Sequence, residues 1–132
     1  MAQTRKTCSD LHAARAIQEA LLRRIASCGY SPGAIFAIKL AIEEGLTNAI
    51  KHGNRFDPAK VVQVRYEIDN SRAVITITDQ GSGFDPAAVP DPTTDENLEK
   101  PSGRGIMLMR AYMDKVVFNR QGNQVRLIKR NA

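Results

Sequence analysis

Apolar residues recur at helical spacing along the N-terminal part of the chain. Asp10 is typical of an N-cap and predicts a helix that runs to about Cys28. Ser31 and Pro32 predict the cap and first turn of a second helix, which extends to about His52. The apolar positions of the first helix are Leu11, Ala14, Ile17, Leu21, Leu22 and Ile25.

The second half of the chain alternates apolar and polar residues, which is typical of strands. Residues 62–68 and 73–77 predict a hairpin, and residues 115–120 and 124–130 predict two further strands. A short helix over residues 103–113 precedes this last pair. Helices and strands do not alternate along the chain, so the pattern predicts an α+β fold. We expect a two-layer sandwich with helices on one face of a mainly antiparallel, mixed sheet.

Composition narrows the class of protein. The chain has 132 residues, of which 42% are hydrophobic and 25% charged, and we predict one globular domain over residues 1–132. No apolar run approaches the roughly 20 residues of a membrane helix, and no signal-peptide pattern is present. We therefore expect a cytoplasmic protein without membrane contact. Cys8 and Cys28 are too few for a disulfide framework or a zinc site.

The net charge of +5 is compatible with an anionic partner but does not indicate which kind. Basic residues are spread along the chain, and aromatic residues make up only 5%, with no Trp. The chain therefore offers few aromatic side chains on which nucleic-acid bases could stack. We expect no direct binding to nucleic acid.

The second helix carries a polar stripe formed by Glu44, Asn48 and Lys51. Glu44 and Asn48 lie within about 40° of each other on a helical projection. A carboxylate there can serve as a general base, and an amide oxygen can ligate Mg²⁺. The alternative is a polar stripe that faces water.

Asp79 comes directly after a predicted strand, on the same side as Ile75 and Ile77. An inward carboxylate needs donors, and an exocyclic amine such as that of adenine is one. Gly81 and Gly83 remove Cβ atoms where a flat ligand can approach. The alternative is a glycine turn in which Asp79 caps its own backbone.

Residues 84–105 form a long connection that is typical of a functional lid. It ends in Ser102, Gly103 and Gly105, and glycines ahead of a helix N-terminus leave backbone N–H groups for a phosphate. Lys100 and Arg104 add positive charge there. The alternative is a flexible hinge before a plain helix.

Together these segments supply a base, a magnesium ligand, an adenine acceptor and a lid. Residues 44–53, 79–84 and 103–109 resemble the N, G1 and G2 boxes of the GHKL (Bergerat-fold) ATPases. Within them, Thr-Asn-Ala-Ile-Lys-His-Gly and the run after Gly105 resemble the bacterial anti-sigma-factor serine/threonine kinases. The resemblance covers about residues 10–130.

The resemblance implies a role for each site residue. Glu44 matches the general base, Asn48 the Mg²⁺ ligand, and Asp79 the acceptor from the adenine amine. The residues that we assign to ATP binding are Asn48, Lys51, Asp79, Gly81, Gly83, Lys100, Ser102, Gly103, Arg104, Gly105 and Ile106.

The resemblance also implies a function. Members of that family phosphorylate a STAS-type anti-anti-sigma protein, hold a sigma factor inactive, and form homodimers. An ATP-binding module that regulates a partner without phosphoryl transfer is the alternative. A nucleic-acid binder is a weaker third possibility.

Three departures from the family pattern bear on these expectations. A basic residue often precedes the Ser-Gly of the lid, whereas this chain has Pro101. The last strand often carries a Thr near the nucleotide, and the matching stretch here is residues 121–125. The family's first strand precedes the first helix, and only residues 1–9 are available for it.

Overall fold

A computed structural model describes residues 2–81 and 101–131, and the side chains of residues 101–104 are not described. The N-terminal elements are β1 (Gln3–Cys8), α1 (Leu11–Ser27) and α2 (Pro32–Thr47), and a π-helical turn (Asn48–Gly53) continues α2. The remaining elements are β2 (Val61–Ile68), β3 (Arg72–Thr78), α3 (Pro101–Tyr112), β4 (Lys115–Phe118) and β5 (Gln124–Arg130).

The described strands form one sheet in the order β1-β2-β3-β5-β4. Every pairing among them is antiparallel, where the sequence had allowed a mixed sheet. The first strand does form within the few residues before α1, and Gln3 pairs with Tyr66 at the edge of the sheet. The predicted α+β class is therefore confirmed.

The helices cover one face of the sheet. Alternate residues of each central strand point toward the helices and are buried, among them Val64, Ile75 and Leu127. They form one core with apolar residues of α1 and α2, such as Leu21 and Ile38, which have no exposed surface. Alternation in the strands and helical spacing in the helices thus account for the two layers.

Capping fixes where the two N-terminal helices begin. The Asp10 carboxylate accepts from the His12 N–H at 2.8 Å, and the Ser31 hydroxyl accepts from the Ala34 N–H at 3.1 Å. Both caps confirm the predicted helix starts. Gly45 brings α2 close to the sheet, because a Cβ there would lie 2.6 Å from Ile77 Cδ1.

The outer face of the sheet is basic. Six exposed basic side chains of the described strands lie on the side away from the helices: Lys6, Arg65, Arg72, Lys115, Arg126 and Arg130. Strand pairing gathers these residues although they are dispersed in the sequence. Basic residues that are far apart in the sequence therefore lie on one face of the sheet. Among residues 2–81 and 101–131, no helix is long and apolar enough to span a bilayer.

Candidate functional site

Gly105 in α3 lies directly against the Glu44 carboxylate in α2. A Cβ at residue 105 would lie 3.0 Å from Glu44 Cδ and closer still to Glu44 Oε2. Gly105 is buried and Glu44 is half-buried. Two of the three motif segments therefore adjoin, and a larger residue at position 105 would require the Glu44 carboxylate to move.

Asn48 begins the π-helical turn, one turn of helix after Glu44. Its backbone N–H donates to the carbonyls of Glu44 and Gly45. Its side-chain Nδ2 is buried and has no hydrogen-bond partner within the described part of the chain. Such an amide costs about 1–3 kcal/mol unless something satisfies it. The side chain therefore has an unused donor within the part of the chain that the structure describes.

Asp79 follows β3 and is only 9% exposed, which confirms its predicted inward orientation. Its Oδ1 accepts the Gly81 N–H at 2.8 Å, so the backbone-capping turn that we considered as an alternative is present as well. Gly53 packs against the same carboxylate, since a Cβ there would lie 2.6 Å from Asp79 Oδ1. A Cβ at residue 81 would in turn collide with the Gly53 carbonyl oxygen. Both glycines are needed for this close packing.

The π-helical turn brings Gly53 to Asp79. Here the backbone N–H of Asn54 donates to the Ala49 carbonyl at 2.8 Å, five residues back along the chain. The wider turn changes the direction in which residues after Asn48 face. π-Turns of this kind are frequent at functional sites.

Burial raises the pKa of both site carboxyl groups. For Glu44 burial is the main cause and the neighbouring Glu43 carboxylate adds to it. For Asp79 burial again raises the pKa, while the Gly81 N–H and the Lys60 ammonium partly oppose it. Carboxyl groups with raised pKa values are typical of functional sites, because a raised pKa makes the carboxylate a stronger base.

Asn54, which is 1% exposed, was not predicted as a site residue. Its Oδ1 accepts the Gln80 N–H at 2.7 Å, and its Nδ2 donates to Ser9 Oγ and the Val61 carbonyl, each at 3.0 Å. Asn54 thus joins the end of the π-turn to the loop that follows Asp79. Its position directly after Gly53 was the only signal in the sequence.

Asn123 was not predicted as a site residue either, although its segment departs from the family pattern. Its carbonyl accepts the Asp79 N–H at 2.9 Å, and its Nδ2 donates to the Asp79 carbonyl at 3.3 Å. The side chain of Asn119 shapes this turn by accepting from the N–H groups of Gly122, Asn123 and Gln124. This turn holds the backbone of Asp79 from the β5 side.

The remaining predicted site residues are placed as follows. Lys51 is exposed at the π-turn, and the Ile106 side chain, 2% exposed, packs in the hydrophobic core. α3 begins at Pro101 rather than at residue 103, so Gly103 and Gly105 lie within the first turns of the helix instead of ahead of it. Gly83 and Lys100 lie outside the described residues, as do the side chains of Ser102 and Arg104.

The donor set fits a magnesium ion that is held mainly by phosphates. Among the described residues, no group of three or more His, Cys, Asp or Glu side chains could hold a metal ion. Mg²⁺ commonly keeps several waters and takes only one or two protein ligands beside substrate phosphates. The Asn48 side chain, one helical turn from the Glu44 carboxylate, has an amide oxygen that would supply one such ligand once its unpartnered Nδ2 and its Oδ1 exchange places.

Two relatives show what kind of protein the chain is similar to. It is 38% identical over 98 residues to a protein named anti-sigma F factor from Anoxybacillus flavithermus, covering 70% of this chain and 66% of that protein. It is 35% identical over 97 residues to the serine-protein kinase RsbW of Bacillus licheniformis, covering 67% of this chain and 59% of that protein. The chain thus spans just under two thirds of the length of these relatives.

One solved structure shares the fold. The crystal structure of the RsbU and RsbW domains of a Mycobacterium tuberculosis protein superposes with a TM-score of 0.60 at 17% identity. The match covers 99% of this chain and 32% of that one. It supports the two-layer architecture described above.

A family model described as the histidine kinase-like ATPase domain matches residues 4–129, almost the whole chain. This match confirms the resemblance inferred from the three motif segments. The chain belongs to the histidine kinase-like ATPase domain family.

Proposed function

We propose that this chain is an ATP-dependent serine/threonine protein kinase that also acts as an anti-sigma factor. The contact between Glu44 and Gly105 carries the proposal, because it joins the predicted base to the predicted triphosphate segment. The names of the two relatives support both halves of the function.

The spacing along α2 and the π-helical turn that continues it suits a nucleoside triphosphate. Glu44 marks one end of the site and Gly53, against Asp79, marks the other. Nine residues separate them, which corresponds to roughly 13 Å of helix. That span is comparable to an extended nucleotide, with its base at Asp79 and its γ-phosphate near Glu44.

Each end of the site has a distinct task. The Asp79 carboxylate accepts a hydrogen bond from the adenine amine, and its second oxygen is available because Gly81 occupies the first. Glu44 accepts the proton of the acceptor hydroxyl while that oxygen bonds to the γ-phosphorus and ADP leaves. Its raised pKa makes it a stronger base for this step. Phosphoryl transfer depends chiefly on such positioning.

Mg²⁺ would be held by the Asn48 amide oxygen together with the phosphates. When bound, it would neutralise charge on the triphosphate. Rotating the amide by half a turn presents oxygen instead of nitrogen at the unpartnered position. The chain's own contribution is to hold that amide next to Glu44 on the same helix.

The partners follow from the proposed function. The acceptor is a serine or threonine of a STAS-type anti-anti-sigma protein, and the client is a sigma factor. A homodimer and a cytoplasmic location belong to the same proposal.

Phosphate transfer from γ-labelled ATP to the cognate STAS protein tests the kinase. Glu44→Ala and Asn48→Ala should each abolish labelling while circular dichroism shows an intact fold. Glu19→Ala, which removes an exposed carboxylate on α1, is the matched control and should label normally. Unchanged labelling in both site variants would end the kinase assignment.

An ATP-binding regulator without phosphoryl transfer is the second candidate. It is favoured by Pro101, which occupies the first position of α3 where the family often has a basic residue. Proline suits a helix start but brings no charge to a phosphate. Binding of ATP and partner by the unmodified chain without any labelled product would favour this candidate.

A further inference from the structure

Asn54 is a buried polar side chain to which the proposed function assigns no role. It is 1% exposed, and both hydrogens of its Nδ2 are used, toward Ser9 Oγ and the Val61 carbonyl. Its Oδ1 accepts the Gln80 N–H at 2.7 Å. One side chain therefore ties together the end of β1, the start of β2 and the loop after β3.

The Gln80 side chain closes a ring around this loop. Its Oε1 accepts the Val61 N–H at 2.8 Å, while its own N–H is held by Asn54. Ser9 Oγ donates in turn to the Lys60 carbonyl at 2.9 Å. The peptide that follows Asp79 is thus fixed from two directions.

This ring of hydrogen bonds, formed by Asn54, Gln80 and Val61, lies beside the Asp79 carboxylate. Asn54 directly follows Gly53, which packs on that carboxylate, and holds residue 80, between Asp79 and Gly81. A shift of Asn54 would therefore move both Gly53 and Gly81, which pack against the Asp79 carboxylate. The Asp79 carboxylate would then be free to adopt more than one orientation.

The backbone after Asn54 is strained. Arg55 and Phe56 have φ values of 52° and 58°, a region that side chains other than glycine rarely adopt. Such strain persists only where surrounding contacts enforce it, and it is frequent at functional sites. The Phe56 N–H donates to the Ile50 carbonyl at 2.9 Å and the Asp57 N–H to the Asn54 carbonyl at 3.0 Å, so backbone bonds hold this segment beside the three side-chain bonds of Asn54.

We propose that Asn54 is the positioning residue that orients Asp79 and thereby makes the site selective for a purine with an amino group at position 6. A fixed carboxylate accepts a hydrogen bond from the 6-amino group of adenine and opposes the 6-carbonyl oxygen of guanine. A mobile carboxylate turns aside and discriminates less. This inference rests on the proposed function, in which Asp79 meets the base.

Isothermal titration of the full chain with Mg-ATP, Mg-GTP and Mg-tripolyphosphate tests the proposal. Asn54→Ala should weaken ATP binding by about tenfold or more and bring the ratio of ATP to GTP affinity close to one. Tripolyphosphate, which has no base, should bind unchanged. Thermal melting without nucleotide reports any loss of stability separately.

Ser9→Ala is the matched control. It removes one partner of Asn54 and leaves the bond to Gln80 intact. We expect a lower melting temperature with the ATP preference retained. If folded Asn54→Ala also keeps its ATP preference, Asn54 is merely structural and the proposal is overturned.

Asn54→Asp covers the case in which the alanine variant does not fold. It keeps an oxygen for the Gln80 N–H and should retain the preference within about threefold. Loss of preference in this folded variant would also overturn the proposal. The unmodified chain tests the role of Asp79 separately from the role of Asn54. If the unmodified chain binds ATP and GTP equally well, the assignment of Asp79 to the base is wrong, whatever the Asn54 variants show.

Discussion

Gly105 and Glu44 are in contact although 61 residues separate them in the sequence. Because Gly105 has no side chain, α3 can pack against the carboxylate of α2 without displacing it. The last motif segment thus limits where the Glu44 carboxylate, the proposed base, can point. Substitutions at residue 105 therefore test the proposed role of Glu44 as directly as substitutions at residue 44.

Gly105→Ala should reduce phosphoryl transfer by about tenfold or more. The added methyl group would collide with the Glu44 carboxylate and force it away from its position beside α3. Gly33→Ala is the matched control, because a Cβ at residue 33 meets nothing within 4 Å. It should leave transfer unchanged and slightly stabilise α2. Equal rates for both variants would show that the contact with Glu44 does not matter.

Gly53→Ala should act on the other end of the site. Its methyl group would displace the Asp79 carboxylate, so the affinity for ATP should fall while tripolyphosphate binds as before. Titration with both ligands measures the difference. A parallel loss for both ligands would contradict the assignment of Asp79 to the base.

The helices, the hairpin and the inward face of Asp79 were predictable because each depends on local spacing. Asp10 and Ser31 cap their helices as predicted, and alternation along β3 buries Asp79. Glu44 and Asn48 were predicted to lie side by side because they are four residues apart on one helix. The period of 2 residues in strands and of 3.6 residues in helices can be recognised directly in the sequence.

The contacts between distant segments could not be predicted. Asn54 resembles an ordinary polar residue after a glycine, and only the packing of β1, β2 and the Asp79 loop around it reveals its three partners. The basic outer face was hidden for the same reason. Arg65 and Arg126 lie on different strands, and pairing through β3 brings them to one side.

Asn119→Ala should destabilise the fold by about 1–2 kcal/mol, because its Oδ1 accepts from the backbone N–H groups of Gly122, Asn123 and Gln124. The same turn holds the Asp79 backbone through the Asn123 carbonyl, so the affinity for ATP should also fall modestly. Denaturant unfolding and ATP titration measure the two effects. Asn70→Ala, in the exposed β2–β3 turn, is the comparison and should leave ATP binding unchanged.

Glu44→Gln should abolish transfer yet stabilise the chain at neutral pH. The folded-state pKa of Glu44 is raised, chiefly by burial, so the folded protein binds its proton more tightly than the unfolded chain. Stability from this group is therefore present below the unfolded pKa of about 4.5 and is lost as pH rises through the folded pKa.

The charged form of Glu44 thus opposes folding at pH 7, and a neutral amide of similar size removes that cost. Denaturant unfolding of both proteins from pH 3.5 to 7 should show a stability gap that opens as pH rises and closes at the acid end. A gap that is constant with pH would mean that lost contacts, rather than the charge, cause the difference. A catalytic base retained at the expense of stability is the behaviour expected of a functional carboxylate.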